Sequence, residues 1–239
     1  METTAFEMSG VRIQYGVRCA VEDLSLSLKQ GGALGLLGLN GAGKTSTIRA
    51  LMGMLRPSRG TVTVFGGTPG NPKIFRKIGF APETAFPPEY LTAREYLSFV
   101  ASFRLGDRIA RKREVAESLE FFELSPAKKI REYSKGMVKR LILAQAFLGS
   151  PEMLVLDEPL NGLDPLVIIK LRQKLDQYRG RGGAVLYSSH ILAEVEKTCT
   201  DIAILSQGKL VCRAPLAEVL SEHGSVENAF AAKVGAGQP

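Results

Sequence analysis

The segment Gly38-Leu39-Asn40-Gly41-Ala42-Gly43-Lys44-Thr45 has residue types and spacing suited to phosphate chemistry. It fits G-x-x-x-x-G-K-[ST], the Walker A phosphate loop. In such a loop, glycines let the backbone turn tightly and bring its N–H groups against phosphate oxygens. The lysine, here Lys44, reaches the β- and γ-phosphates, and the hydroxyl of Thr45 helps hold Mg²⁺. The flanks suit this use. Ala33-Leu34-Gly35-Leu36-Leu37 reads as a buried strand entering the loop, and Thr45 to Met52 reads as a helix leaving it. The helix N-terminus would then face the phosphates. The motif points to a nucleotide but not to what its hydrolysis would drive.

A second phosphate-chemistry element is Met153-Leu154-Val155-Leu156-Asp157-Glu158, an apolar strand ending in two carboxylates. In a Walker B element the first carboxylate, Asp157, orders Mg²⁺, and the second, Glu158, polarises the attacking water. Taken alone, the same residues also read as an acidic pair at a strand end. Between the two motifs lies Tyr133-Ser134-Lys135-Gly136-Met137-Val138-Lys139-Arg140, ahead of an apolar helical stretch. A serine and a glycine at a helix start can present a hydroxyl and N–H groups to an anion, or serve as an ordinary N-cap.

These residues must be positioned by a larger frame. Strand-like and helix-like runs alternate, which implies a mostly parallel sheet in an α/β core. The first section is strand-rich, over 6–14, 24–28 and 60–65. After Phe80 the prolines Pro82, Pro87 and Pro88 mark a loop. Thr92-Ala93-Arg94-Glu95 fits a capping box with Leu91 before it as a staple residue, and helices are expected over 95–103, 108–122 and 136–148. Core-like sequence then resumes with strands at 153–156, 184–187 and 202–205 and helices at 166–178 and 191–198. A short helix and a frayed tail are expected after Gly224.

The chain has 239 residues, 45% hydrophobic and 23% charged, ordinary for a soluble globular protein. No apolar stretch approaches the roughly 20 residues needed to span a bilayer. The polar, acidic start does not look like a secretory signal, so a membrane role is expected to come through a partner. Cys19, Cys199 and Cys212 are far apart without a CxxC, and buried thiols are expected. The net charge of +7 is dispersed; its densest cluster, Arg108 to Arg113, reads as a solvated helix face.

In order and spacing, residues 5 to 215 resemble the nucleotide-binding subunit of ATP-binding cassette (ABC) transporters, in the ABC-2-type exporter branch. The resemblance implies a P-loop NTPase (RecA-like) α/β core with an N-terminal antiparallel β-subdomain and an inserted α-helical subdomain. It implies one ABC ATPase domain over 1–239: core and β-subdomain over 1–83 and 150–215, helical subdomain over 84–149, and a short C-terminal helix and tail over 216–239. The cofactors it implies are ATP and Mg²⁺. Nucleotide contacts are assigned to Tyr15, stacked on adenine, and to the loop from Gly38, Leu39, Asn40, Gly41, Ala42, Gly43, Lys44 and Thr45 to Ser46. Glu83, where a glutamine is usual, belongs to the Q-loop and to the metal set with Thr45 and Asp157. Glu158, His190 and Lys44 are the catalytic assignments.

The family signature L-S-G-G-Q stands here as Tyr133-Ser134-Lys135-Gly136-Met137, which keeps Ser134 and Gly136 and departs at Lys135 and Met137. The resemblance gives Ser134 and Gly136 to the γ-phosphate of ATP on the opposite protomer, and Asp164 to the D-loop across the dimer interface. The implied partners are a second ATPase subunit, in a homodimer or heterodimer, and an integral membrane permease, with no nucleic acid. The implied location is the cytoplasmic face of the cell membrane. Two other readings stay open: a soluble ABC-type ATPase outside transport, and a regulatory ATP-binding subunit with little turnover.

Overall fold

The computed structural model describes residues 3–235. Two long strands, β1 (Thr4–Tyr15) and β2 (Arg18–Lys29), pair as an antiparallel hairpin. The short buried strand β3 (Ala33–Leu37) leads into helix α1 (Lys44–Leu51), and β4 (Arg59–Val64) returns to pair antiparallel with β1. The first sheet therefore has the order β2-β1-β4. After the single turn α2 (Pro72–Phe75) comes β5 (Ile78–Ala81), and then α3 (Ala93–Ser102), α4 (Arg108–Phe121), a 3-10 turn (Ile130–Glu132) and α5 (Lys135–Phe147). The remaining elements are β6 (Met153–Asp157), α6 (Pro165–Gly180), β7 (Ala184–Ser189), α7 (Leu192–Thr198), β8 (Asp201–Ser206), β9 (Lys209–Pro215), α8 (Leu216–His223) and α9 (Val226–Gly235). A second sheet has the order β5-β6-β7-β3-β8-β9 and is parallel except for the β8–β9 hairpin.

The central strands read as continuous apolar runs because both faces are covered. β3, β6 and β7 are buried along their whole length. Their alternate residues serve different cores, as a strand period of two requires. Leu34, Leu36, Met153, Val155 and Leu186 face the antiparallel sheet and α1. Leu37, Leu154, Leu156, Val185 and Tyr187 face the helices on the other side, where α3, α4 and α5 add Leu97, Leu119 and Leu143.

Helix starts follow their caps. Thr92 and Glu95 form the reciprocal capping box expected at α3, and Asp107 caps α4 through the N–H groups of Ile109 and Ala110. The α3–α5 segment is tied to the edge strand β5 by side chains. Arg104 donates to the carbonyls of Leu148, at 2.8 Å, and Ile78. Gln145 donates to Phe80 O at 3.3 Å while accepting from the Tyr96 hydroxyl.

Contact between α5 and β5 requires a glycine. A Cβ on Gly79 would stand 1.9 Å from the Ala146 carbonyl oxygen. Backbone would have to move, so Gly79→Ala should cost about 2–3 kcal/mol of stability. The expected reading is a lower urea midpoint at unchanged slope; a parental midpoint would show that α5 can shift off β5 freely.

Three expectations change. β2 begins at Arg18 rather than near Leu24, because Tyr15↔Arg18 and Gln14↔Cys19 extend the pairing to the turn. β5 and β9 are strands that the apolar pattern did not announce. The thiols are not uniformly buried: Cys199 is, Cys212 is half-buried, and Cys19 is exposed near the β1–β2 turn. Of the expected C-terminal helix and tail, α9 supplies the helix, and residues 236–239 lie outside the described residues.

Candidate active site

The loop between β3 and α1 borders a cleft of about 470 Å³, which Tyr15, Leu39, Asn40, Gly41, Ala42, Gly43, Lys44, Thr45, Ser46, Glu83 and Glu158 line together with Arg18, Ala20 and Arg49. Gly43 caps α1 with φ 109°, and a Cβ there would lie 2.7 Å from Ala20 O. Only glycine meets both demands without strain. Lys44 follows, 7% exposed; its Nζ donates to Gly38 O at 2.6 Å and lies 3.6 Å from Glu158 Oε1. Tyr15 is 43% exposed, with its hydroxyl 3.3 Å from Ser46 Oγ. That contact ties the hydroxyl to α1 while the residue stays exposed.

β6 delivers the acidic groups from two positions away in the sheet, across β7. Thr45 Oγ1 donates to Asp157 Oδ2 at 3.2 Å. Asp157 pairs in register with Ser188 of β7. The Ser188 hydroxyl donates to Asp157 Oδ1 and accepts from the Glu158 N–H at 3.0 Å, so it holds two consecutive residues. Glu158 has φ 47°, in the left-handed region that costs a non-glycine residue about 1–3 kcal/mol. This backbone turn points its carboxylate at Lys44 on one side and His190 on the other. His190 Nδ1 is 2.8 Å from Glu158 Oε2, and its backbone N–H donates to the same oxygen at 3.4 Å. Glu158 is 5% exposed while the His190 side chain is 50% exposed.

The arrangement suits anionic phosphate and water chemistry. Lys44 and the α1 N-terminus supply positive potential. Glu158 is a buried base held at fixed orientation, and Thr45 with Asp157 offers the oxygen donors that Mg²⁺ prefers. Among the described residues no three His, Cys, Asp or Glu cluster as a metal cage. The donor set fits Mg²⁺ shared with phosphate and water, in the way that ion is usually bound.

The candidate residues do not all meet. Ser134, Gly136 and Asp164 do not line the Tyr15–Glu158 cleft. Ser134 caps α5, accepting from Met137 N–H at 3.2 Å. Asp164 caps α6, accepting from Val167 N–H at 3.1 Å. A Cβ on Gly136 would lie 2.9 Å from Gly162 O, so the signature and the D-loop segment adjoin each other. Ser188 escaped sequence reasoning as a site residue because its role depends on strand register. Arg18 escaped it because only the β1–β2 hairpin brings it to the cleft. Lys139, buried at 8% exposure, also went unread. Burial pulls its ammonium below the ordinary lysine value, against the opposing charges of Asp157, Glu83 and Glu158.

A buried parallel strand, a glycine-rich turn and a helix in that order, with a second buried parallel strand, β6, ending opposite Thr45, define a P-loop nucleotide-binding fold. The family model described as ABC transporter matches residues 21–161, more than half of the chain, and the protein belongs to that family. An uncharacterized ABC transporter ATP-binding protein of Synechocystis sp. is 38% identical over 213 residues, covering 87% of this chain and 60% of its own. The bacitracin transport ATP-binding protein of Bacillus licheniformis is 37% identical, covering 89% of this chain and 70% of its own. The Nod factor export ATP-binding protein I of Burkholderia orbicola is 34% identical, with 94% and 75% covered. The chain thus spans about three fifths of the cyanobacterial relative's length.

Among solved structures, an ATP-binding subunit of an ABC transporter superposes with a TM-score of 0.89 at 29% identity, covering 95% of this chain and 98% of that one. A dimeric ATP-binding cassette in a post-hydrolysis state with ADP and Pi gives 0.79 at 22% identity, covering 88% and 98%, which speaks to fold alone.

Proposed function

We propose that this chain is the ATP-binding and ATP-hydrolysing subunit of a membrane ABC exporter, working by ATP-dependent dimerisation. The observation that carries the reading is the Lys44–Glu158 pair in the phosphate-loop cleft, with His190 on the Glu158 carboxylate, while Ser134 and Gly136 do not line that cleft. Each complete site takes Tyr15, Lys44, Asp157, Glu158 and His190 from one chain and Ser134 with Gly136 from a second. Thr45 and Asp157, with Glu83 at the same cleft, would hold Mg²⁺, which would supply charge neutralisation at the phosphates. Lys44 binds the β- and γ-phosphates, and the loop N–H groups orient them. Glu158 accepts the proton of the attacking water, and His190 holds that carboxylate and stands ready toward the γ-phosphate. ATP bridges two surfaces, so its cleavage weakens the closed dimer, and the difference in affinity between closed and open states does the work.

The export assignment draws on the relatives that carry bacitracin transport and Nod factor export in their names. No helix among the described residues is long and apolar enough to cross a membrane. We assign the membrane passage to a permease subunit that holds this chain at the cytoplasmic face. Its contact would be the α3 side. There Phe86, Tyr90, Phe99 and Phe103 are exposed, and a cleft of about 520 Å³ is lined by Glu83, Phe86 and Tyr133.

A mixing experiment tests the composite site. Lys44→Ala and Gly136→Asp should each be inactive as pure proteins. Mixed, they should recover ATP turnover, because one heterodimer site then has an intact phosphate loop and an intact signature. A mixture as inactive as its components would mean the sites are not shared between chains.

A further inference from the structure

We infer that Lys139 is a positioning residue for hydrolysis, which fastens the Glu83 turn and the end of β6 to the signature helix α5. Its Nζ donates to three backbone carbonyls, of Pro82, Glu83 and Asp157, each at 3.4 Å. An ammonium has three donors and no acceptor, so these carbonyls use all of it. They belong to separate parts of the fold: the turn after β5 and the end of β6, reached from the first turns of α5.

The burial of this cation argues against a packing role. Lysines ordinarily extend their charge to water along an apolar stem, yet Lys139 is 8% exposed. An apolar side chain of similar volume would fill the space without the cost of removing a charge from water. What the ammonium provides and an apolar chain does not is a directional link among three backbone segments. Its charge also faces Asp157, Glu158 and Glu83 together. Glu83 brings a third carboxylate to this neighbourhood, and Lys139 is a buried cation placed to offset it.

The consequence is mechanical. Ser134 and Gly136 begin α5, and Lys139 lies on the same helix. A displacement of α5 when its N-terminus meets nucleotide on the opposite chain reaches the carbonyl of Asp157 and the Glu83 turn through one side chain. The occupancy of one composite site thereby adjusts the carboxylates of the other.

This inference rests on the proposed ATP hydrolysis at Glu158. Lys139→Met keeps the length and apolar stem but removes the donors and the charge. In the full chain it should lower kcat about 10–100-fold, the effect expected of a misplacement near 1 Å. MgATP affinity should stay within about twofold. The unfolding midpoint should fall, because removing one partner of a buried charge cluster leaves its carboxylates and carbonyls unpaired, so kcat is read where the variant is fully folded. Lys139→Gln, whose amide still donates, should recover part of the rate. A Lys139→Met protein with parental kcat overturns the inference. So does a loss of kcat matched by an equal loss of ATP affinity or accounted for by an equal loss of folded protein, or Lys139→Gln no faster than Lys139→Met. A parent protein that hydrolyses no ATP overturns the functional reading and this inference with it. A parent that hydrolyses ATP beside an equally active Lys139→Met faults the inference alone.

Discussion

Glu158→Gln should lower steady-state ATP turnover roughly 10²–10⁴-fold, the range general-base catalysis supplies, while leaving ATP binding within a few-fold. The amide keeps the carboxylate's shape, and its oxygen can still accept from His190 Nδ1, now 2.8 Å from Oε2. It cannot take the proton of an attacking water. It also leaves Lys44 without the anion 3.6 Å away, which frees the lysine for phosphate. The variant should therefore collect as an ATP-bound dimer, seen as a shift to the dimer mass in size-exclusion light scattering with MgATP. Unchanged steady-state hydrolysis would remove Glu158 from the role of base. Lost turnover without a dimer would separate hydrolysis from association and weaken the proposed switch.

The second large effect belongs to Lys44. Lys44→Ala removes a charge-assisted contact to phosphate worth about 1.5–3 kcal/mol, so MgATP affinity should fall about 10–100-fold, with turnover falling at least as far. The change also takes from Glu158, 5% exposed, the cation 3.6 Å from its Oε1. Lys44→Met, which keeps the stem, is the control for packing. Calorimetric titration with MgATP reads the affinity directly. Parental affinity and parental hydrolysis in Lys44→Ala would defeat the phosphate-loop assignment.

Much of the site was legible because it is local. The loop from Gly38 to Ser46 is one continuous turn, and its neighbours in sequence are its neighbours in space. Asp157 and Glu158 stand at the end of a short apolar run that reads as a buried strand. The cap at Thr92 is equally local, since both partners lie within four residues. Legibility fails where an element's reason is elsewhere in the chain. β5 is four residues with a glycine in its middle, and the glycine answers to the carbonyl of Ala146. β9 alternates weakly between exposed and half-buried at a sheet edge, so its pattern carries little apolar signal. Ser188 looked like one of two serines before a histidine. Its hydroxyl matters because β6 and β7 set it opposite Asp157.

The sequence by itself determined the phosphate loop, the acidic strand end and the alternating α/β order. Those follow from backbone geometry and hydrophobic periodicity within single segments. Only the tertiary structure decided which side chains complete the group. Sheet order β6-β7-β3 sets Asp157, Ser188 and the phosphate loop side by side, and the turn at Glu158 aims one carboxylate at both Lys44 and His190. It also decided what stays apart: Ser134 and Gly136 open a different helix, outside the cleft of Lys44. The physical reason is that register and packing are long-range. A hydroxyl, an ammonium or a carboxylate acquires its role from the groups that the fold brings within hydrogen-bond distance.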